Sequence, residues 1–174
     1  MTVWICHIPA VNPKEKKEQS QKAYQMLFQM VKEQYGIDLW QENEPVKRKK
    51  NGKPYLNYHP QLCFNLSHSG DWIACAVGEY SVGIDLQYEK RMPREQMEKI
   101  LEKIADKEEG MQWELAEHKE SLFYEIWTKK ESYLKYTGEG IRRDMKTLSY
   151  EDCRFYVLPA PKGYHSMICV QEKF

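Results

Sequence analysis

Two short segments carry residue types that together suit a divalent cation and a diphosphate: Gly83-Ile84-Asp85-Leu86-Gln87 and Trp127-Thr128-Lys129-Lys130-Glu131-Ser132-Tyr133-Leu134-Lys135. The first follows the β-rich run Trp72-Ile73-Ala74-Cys75-Ala76-Val77 and reads as a strand. A period of two then puts Asp85 and Gln87 on one face, with Ile84 and Leu86 on the other. The second has helical periodicity. Leu122, Phe123, Ile126, Trp127 and Leu134 form an apolar stripe, and Trp127, Glu131 and Lys135 follow one another a turn apart on its flank. A hard cation such as Mg²⁺ takes one or two carboxylates from protein and fills its remaining positions with water and substrate phosphates, a need that Asp85 plus Glu131 meets. The plainer account of either segment alone is a strand-end aspartate and a surface i,i+4 ion pair.

A third region adds groups that suit phosphate oxygens. Asn51-Gly52-Lys53-Pro54-Tyr55-Leu56-Asn57 and Phe64-Asn65-Leu66-Ser67-His68-Ser69-Gly70 supply a lysine, hydroxyls and an imidazole at two turn-rich loops flanking a short strand. Taken singly, a loop histidine is a structural residue more often than a ligand, and Gly-Lys-Pro is a common turn.

The elements that must hold these residues read as a mixture of strands and helices. An opening strand over residues 3–8 and a loop over 9–13 precede a helix over 14–35, with Ala23, Tyr24, Leu27, Phe28 and Val31 at helical spacing and Gly36 as its stop. The basic run at 47–53 reads as a solvated hairpin loop. Residues 61–87 read as two or three strands of one sheet. Pro93 opens a helix carrying Met97, Ile100, Leu101 and Ile104, and Gly110 interrupts a polar stretch. The helix that bears Glu131 is expected over 121–136, and residues 147–158 and 164–170 close as a hairpin.

Composition narrows the setting. The 174 residues hold 26 Lys plus Arg against 26 Asp plus Glu, so no global field favours nucleic acid. The five cysteines are odd in number and lack a C-x-x-C pair, which fits free thiols in a reducing compartment. No window approaches the roughly 18 apolar residues of a membrane span, and the N-terminus has no basic, cleavable leader; a soluble, cytoplasmic protein is expected.

On Gly52-Lys53-Pro54, Asn65-Leu66-Ser67-His68-Ser69, Gly83-Ile84-Asp85-Leu86-Gln87 and the Trp127 to Lys135 segment, in that order, the chain resembles the Sfp-type 4'-phosphopantetheinyl transferases. These enzymes move phosphopantetheine from coenzyme A to a serine of a carrier protein. The ending Gly163-Tyr164-His165-Ser166-Met167-Ile168-Cys169-Val170 looks like the family's last core strand, and the resemblance covers most of residues 50–170. It implies an α+β fold of two similar small lobes related by a pseudo-twofold, residues 1–90 and 91–174, divided near 88–92, with the active site in the cleft between them.

The resemblance also implies roles. Asp85 and Glu131 would hold Mg²⁺, or Mn²⁺ in its place, and Gln87 stands where the family usually has a carboxylate, so an amide oxygen or a water replaces a charged ligand. Asp85, Glu131, Lys135 and His68 would carry catalysis, Lys135 on the transferring diphosphate. Ser67 and His68 would hold the nucleotide portion, and Lys53 and Lys130 would contact coenzyme A phosphates. Lys17 and Lys22 are partners for the 3'-phosphate or else a solvated helix face. Trp127 and Tyr133 are packing residues. Lys90, Arg91, Arg94, Arg142 and Arg143 either steer an acidic carrier protein or are ordinary surface charge. The expectation is a monomeric transferase of the holo-[acyl-carrier-protein] synthase type, serving fatty acid, polyketide or nonribosomal peptide synthesis, without nucleic-acid or membrane partners. The alternative is a non-catalytic coenzyme A or nucleotide binding module that has lost turnover with the carboxylate at Gln87.

Overall fold

The computed structural model describes residues 1–8, 16–140 and 143–172, with the backbone alone for residues 16 and 17, and the fold is α+β as expected. Strands β1 (Thr2–His7), β4 (Cys63–Ser69) and β5 (Trp72–Gly78) form an antiparallel sheet in the order β1-β5-β4. Strands β6 (Val82–Tyr88), β7 (Cys153–Val157) and β8 (Tyr164–Gln171) form another in the order β6-β8-β7. A small hairpin pairs β2 (Val46–Arg48) with β3 (Pro54–Leu56) and presents the basic run at its tip. The helices are α1 (Lys16–Tyr35), α2 (Arg94–Ile104), α3 (Lys107–Leu115) and α4 (Lys119–Thr137). None of the described helices is long and apolar enough to cross a membrane.

Alternation along the strands explains the layering. On β4 and β5, Phe64, Cys75 and Val77 face α1 and pack with Leu27, Met30 and Val31. The opposite face offers small residues, Ala74 and Ala76, against which Ile84, Leu86 and Ile168 of the second sheet close. Helix α4 covers the outer face of that second sheet. It is buried on several sides, and its polar Thr128 and Ser132 satisfy their hydroxyls on carbonyls of their own helix, Tyr124 O at 2.8 Å and Lys129 O at 2.8 Å. Each sheet thus has a helix on its outer face, which is consistent with a two-lobe arrangement.

One glycine sets the distance between α4 and β6. A Cβ added at Gly83 would stand 2.0 Å from the Ser132 carbonyl oxygen and 2.3 Å from the Tyr136 nitrogen, so only glycine lets the helix backbone lie this close. At the other end of α4, Gly138 takes a left-handed φ of 78° and its N–H bonds the Leu134 carbonyl at 2.8 Å, which stops the helix.

Two expectations change. β6 does not join β4 and β5 in one sheet: it is hydrogen-bonded along its length to β8, from Val82↔Val170 to Tyr88↔Tyr164. Gly110, in the polar stretch, lies inside α3, where a Cβ would meet no described atom within 4 Å. That helix starts at a capping box, Asp106 accepting from the Glu109 N–H while Glu109 accepts from the Asp106 N–H, both at 2.9 Å. Ser67 and His68 lie in β4 and not in a loop.

Candidate active site

Asp85 is the centre of the site. The strand alternation that buries Ile84 and Leu86 between the sheets turns Asp85 toward α4, where it is 4 % exposed. Its Oδ1 accepts from the Lys135 ammonium at 2.7 Å and from the Ser67 hydroxyl at 3.0 Å. Its Oδ2 is buried and has no hydrogen-bond partner among the described residues. The backbone is held too, since the Ser166 hydroxyl donates to the Asp85 carbonyl at 3.1 Å. A buried carboxylate oxygen with no donor is costly, and a bound cation would relieve that cost.

Glu131 lies one helical turn before Lys135 on α4 and is half-buried. Burial pushes its carboxyl above the ordinary range, the Asp85 charge pushes it further, and Lys135 opposes both. A divalent cation held between Asp85 and Glu131 would relieve the burial and repulsion that Glu131 bears. Gln87 continues the Asp85 face of β6, directly across from His165, whose ring stacks on Tyr124 with centroids 5.5 Å apart. Among the described residues no group of three His, Cys, Asp or Glu is gathered closely enough to hold a metal ion by itself.

A cavity of about 250 Å³ opens beside Glu131 and Lys135, walled by Gly52, Lys53, Pro54, Asn65, Leu134 and Gly138. A larger hollow of about 590 Å³ lies at the 79–81 turn, against Tyr35, Tyr80 and Tyr156, and contains none of the site residues.

Several expected cofactor contacts fall elsewhere. Lys130 is only 1 % exposed and is paired with Glu109 at 2.8 Å while donating to the Met145 carbonyl at 2.9 Å; its charge holds α3 and α4 together and does not reach the cleft. The resemblance implies a coenzyme A contact for Lys130, and here its ammonium is committed to these two protein groups. Lys53 does wall the cavity, but its ammonium donates to the Tyr136 carbonyl at 2.6 Å and the Val82 carbonyl at 3.4 Å, tying the β2–β3 hairpin to the end of α4. Burial lowers its pKa, and the first of these carbonyls is at the negative end of the helix dipole. His68 is exposed on the α1 face of β4, opposite Ser67. Gln19 of α1 bonds the Gly70 carbonyl at 2.7 Å, so the start of that helix is docked on the β4–β5 turn near His68. Lys22 on the same helix pairs with Glu18 at 3.2 Å. The Lys17 side chain and Arg142 lie outside what is described. Of the basic residues expected to steer a partner, Lys90 and Arg91 are exposed, while Arg94 and Arg143 pair with Glu98 and Glu139.

Sequence reasoning missed the way β4 seals β6. The Asn65, Ser67 and Ser69 side chains accept from the N–H groups of Ile84, Leu86 and Tyr88, at 3.0, 3.1 and 2.9 Å. The open edge of β6 is therefore satisfied by side chains and not by a neighbouring backbone. The signal was present as a period-two polar pattern, Asn65-x-Ser67-x-Ser69, beside small Ala74 and Ala76.

The 4'-phosphopantetheinyl transferase superfamily matches the chain over residues 81–173, and the chain belongs to that family. Relatives extend the likeness. A 4'-phosphopantetheinyl transferase of Bacillus pumilus is 34 % identical over 116 residues, 67 % of this chain and 48 % of the relative. The 4'-phosphopantetheinyl transferase Sfp of Bacillus subtilis is 28 % identical over 127 residues, covering 69 % and 52 %. The human L-aminoadipate-semialdehyde dehydrogenase-phosphopantetheinyl transferase is 26 % identical over 171 residues, covering 85 % and 55 %. The chain thus spans about half the length of the relatives it matches.

Proposed function

We propose that this chain transfers 4'-phosphopantetheine from coenzyme A to a serine of an acyl or peptidyl carrier protein, a reaction of the holo-[acyl-carrier-protein] synthase type. The observation that carries the reading is the division of labour at Asp85, one oxygen saturated by Lys135 and Ser67 and the other buried with no hydrogen-bond partner among the described residues, beside a second acid whose ionisation is disfavoured. Asp85 and Glu131, with Gln87 directly or through water, would hold Mg²⁺ or Mn²⁺. Bound there, the cation supplies neutralisation of the diphosphate and of the leaving group.

The chain's own residues account for the rest. Lys135 has three donors and commits two of them to Asp85 and Ser67, which leaves one for a diphosphate oxygen. Glu131 orients the water that takes the serine proton as the serine oxygen bonds to the β-phosphorus; the bond to the bridging oxygen breaks, and adenosine 3',5'-bisphosphate departs. Most of the acceleration comes from position, because phosphoryl chemistry asks little covalent participation of the protein. His68 and Lys22, on the α1 side of β4, are the candidates for the nucleotide phosphates. The exposed Lys90 and Arg91 suit an acidic carrier protein. The test is incubation with coenzyme A, Mg²⁺ and purified carrier proteins, followed by intact-mass measurement of the carrier. A gain of one phosphopantetheine that chelation and Asp85→Ala both abolish is expected. Tight coenzyme A binding with no mass gain on any carrier would favour the non-catalytic binding module.

A further inference from the structure

Ser67 has no hydrogen-bonding capacity left for a ligand. Its hydroxyl offers one proton and two lone pairs. The proton goes to Asp85 Oδ1 at 3.0 Å, and the lone pairs receive the Leu86 N–H at 3.1 Å and the Lys135 ammonium at 2.8 Å. A phosphate oxygen accepts but does not donate, so Ser67 could serve it only by releasing Asp85. The residue is 5 % exposed, and its three partners come from β6 and α4 while Ser67 itself stands on β4. Its neighbours Asn65 and Ser69 make the same seam bonds, to the β6 backbone N–H groups of Ile84 and Tyr88.

We infer that Ser67 is the positioning residue that fixes both Asp85 and Lys135, turning Oδ1 inward so that Oδ2 is presented to an incoming cation. The inference rests on the proposed function and deepens it: the serine of Asn65-Leu66-Ser67-His68-Ser69 acts through the metal-bearing carboxylate and not on the nucleotide. Replacing partners that orient a metal ligand typically lowers metal affinity about 10- to 100-fold. A residue that touched coenzyme A would instead weaken coenzyme A in the absence of metal.

The experiment compares wild type, Ser67→Ala, Ser67→Thr, Ser67→Cys and Ser69→Ala in two equilibrium measurements. One is Mn²⁺ binding in the presence of coenzyme A, followed by electron paramagnetic resonance; the other is coenzyme A binding under chelation, followed by calorimetry. Ser67→Ala should lose about 10-fold or more in Mn²⁺ affinity while coenzyme A affinity without metal stays within about twofold. Ser67→Thr, which keeps the hydroxyl, should recover most of the Mn²⁺ affinity, and Ser69→Ala should keep wild-type values in both. Ser67→Cys keeps the shape with a weak donor and serves if Ser67→Ala does not fold; it should show the same Mn²⁺ loss. A selective loss of metal-free coenzyme A affinity in Ser67→Ala would overturn the inference, and so would an equal Mn²⁺ loss in Ser69→Ala. Wild type that binds neither Mn²⁺ nor coenzyme A would overturn the functional reading on which it rests.

Discussion

Gly83→Ala tests whether the approach of α4 to β6 is what assembles the site. The new methyl would sit 2.0 Å from the Ser132 oxygen, 2.3 Å from the Tyr136 nitrogen and 2.8 Å from the Tyr136 Cα, all backbone atoms that cannot rotate aside. Ordinary contact needs about 3.5 Å, so the helix must retreat by roughly 1 to 1.5 Å. Lys135 now lies 2.7 Å from Asp85 and 2.8 Å from Ser67, and the same retreat carries it to about 4 Å, beyond hydrogen-bond reach. Overpacking of this kind costs about 1–3 kcal/mol. In a chain of this size each kcal/mol shifts the melting temperature by about 2–4 °C, so a fall of roughly 2–12 °C is expected. A misplacement near 1 Å lowers turnover about 100-fold. Calorimetry and the carrier mass assay at saturating Mg²⁺ measure the two effects. Gly110→Ala is the control, since its Cβ meets nothing within 4 Å and helix propensity should stabilise it by about 0.5–1 kcal/mol. A Gly83→Ala protein that melts with wild type and keeps turnover within about threefold would refute the argument that this contact sets the site.

Lys130→Met should destabilise by about 3–5 kcal/mol in denaturant because Glu109 is left buried and unpaired, and adding Glu109→Gln, which keeps the capping box, should recover most of it. Coenzyme A affinity of the double variant should match wild type; a 10-fold loss in a stable protein would return Lys130 to the ligand. Because burial and Asp85 raise the Glu131 carboxyl above its ordinary 4.5, the native state holds that proton more tightly than the unfolded chain. Its stabilisation is complete below that ordinary value and is lost as pH rises through the raised native one. Metal-free Glu131→Gln should therefore melt above wild type at neutral pH, with the gap closing in acid; a variant that melts lower at neutral pH would sink the idea. Gln87→Glu places a full charge where an amide dipole stands and should lower the Mg²⁺ concentration for half-maximal transfer, with Gln87→Ala changing little. An unchanged midpoint in Gln87→Glu with a large loss in Gln87→Ala would show that the amide itself is the essential contact.

The sequence by itself determined which residues can share a face. Asp85 and Gln87 on a strand, and Glu131 and Lys135 a turn apart on a helix, follow from periods of two and 3.6 that are set by backbone sterics within a few residues. The Gly36 stop is equally local, and the structure has it at a φ of 69° with its N–H on the Lys32 carbonyl at 3.0 Å. What only the tertiary structure decided is which partner each face meets. β6 leaves the strands just before it in sequence and pairs with β8, at the far end of the chain, because a strand's edge bonds are the same for every partner and burial selects among them. Lys129 and Lys130 are adjacent and chemically alike. Yet Lys129 lies over the Tyr150 ring at 4.9 Å while Lys130 points inward at Glu109, a choice made by where α3 packs. Ser67 shows the same limit: its position in the motif suggests a ligand contact, but the approach of α4 and β6 consumes all of its hydrogen bonds, and no local rule contains that approach.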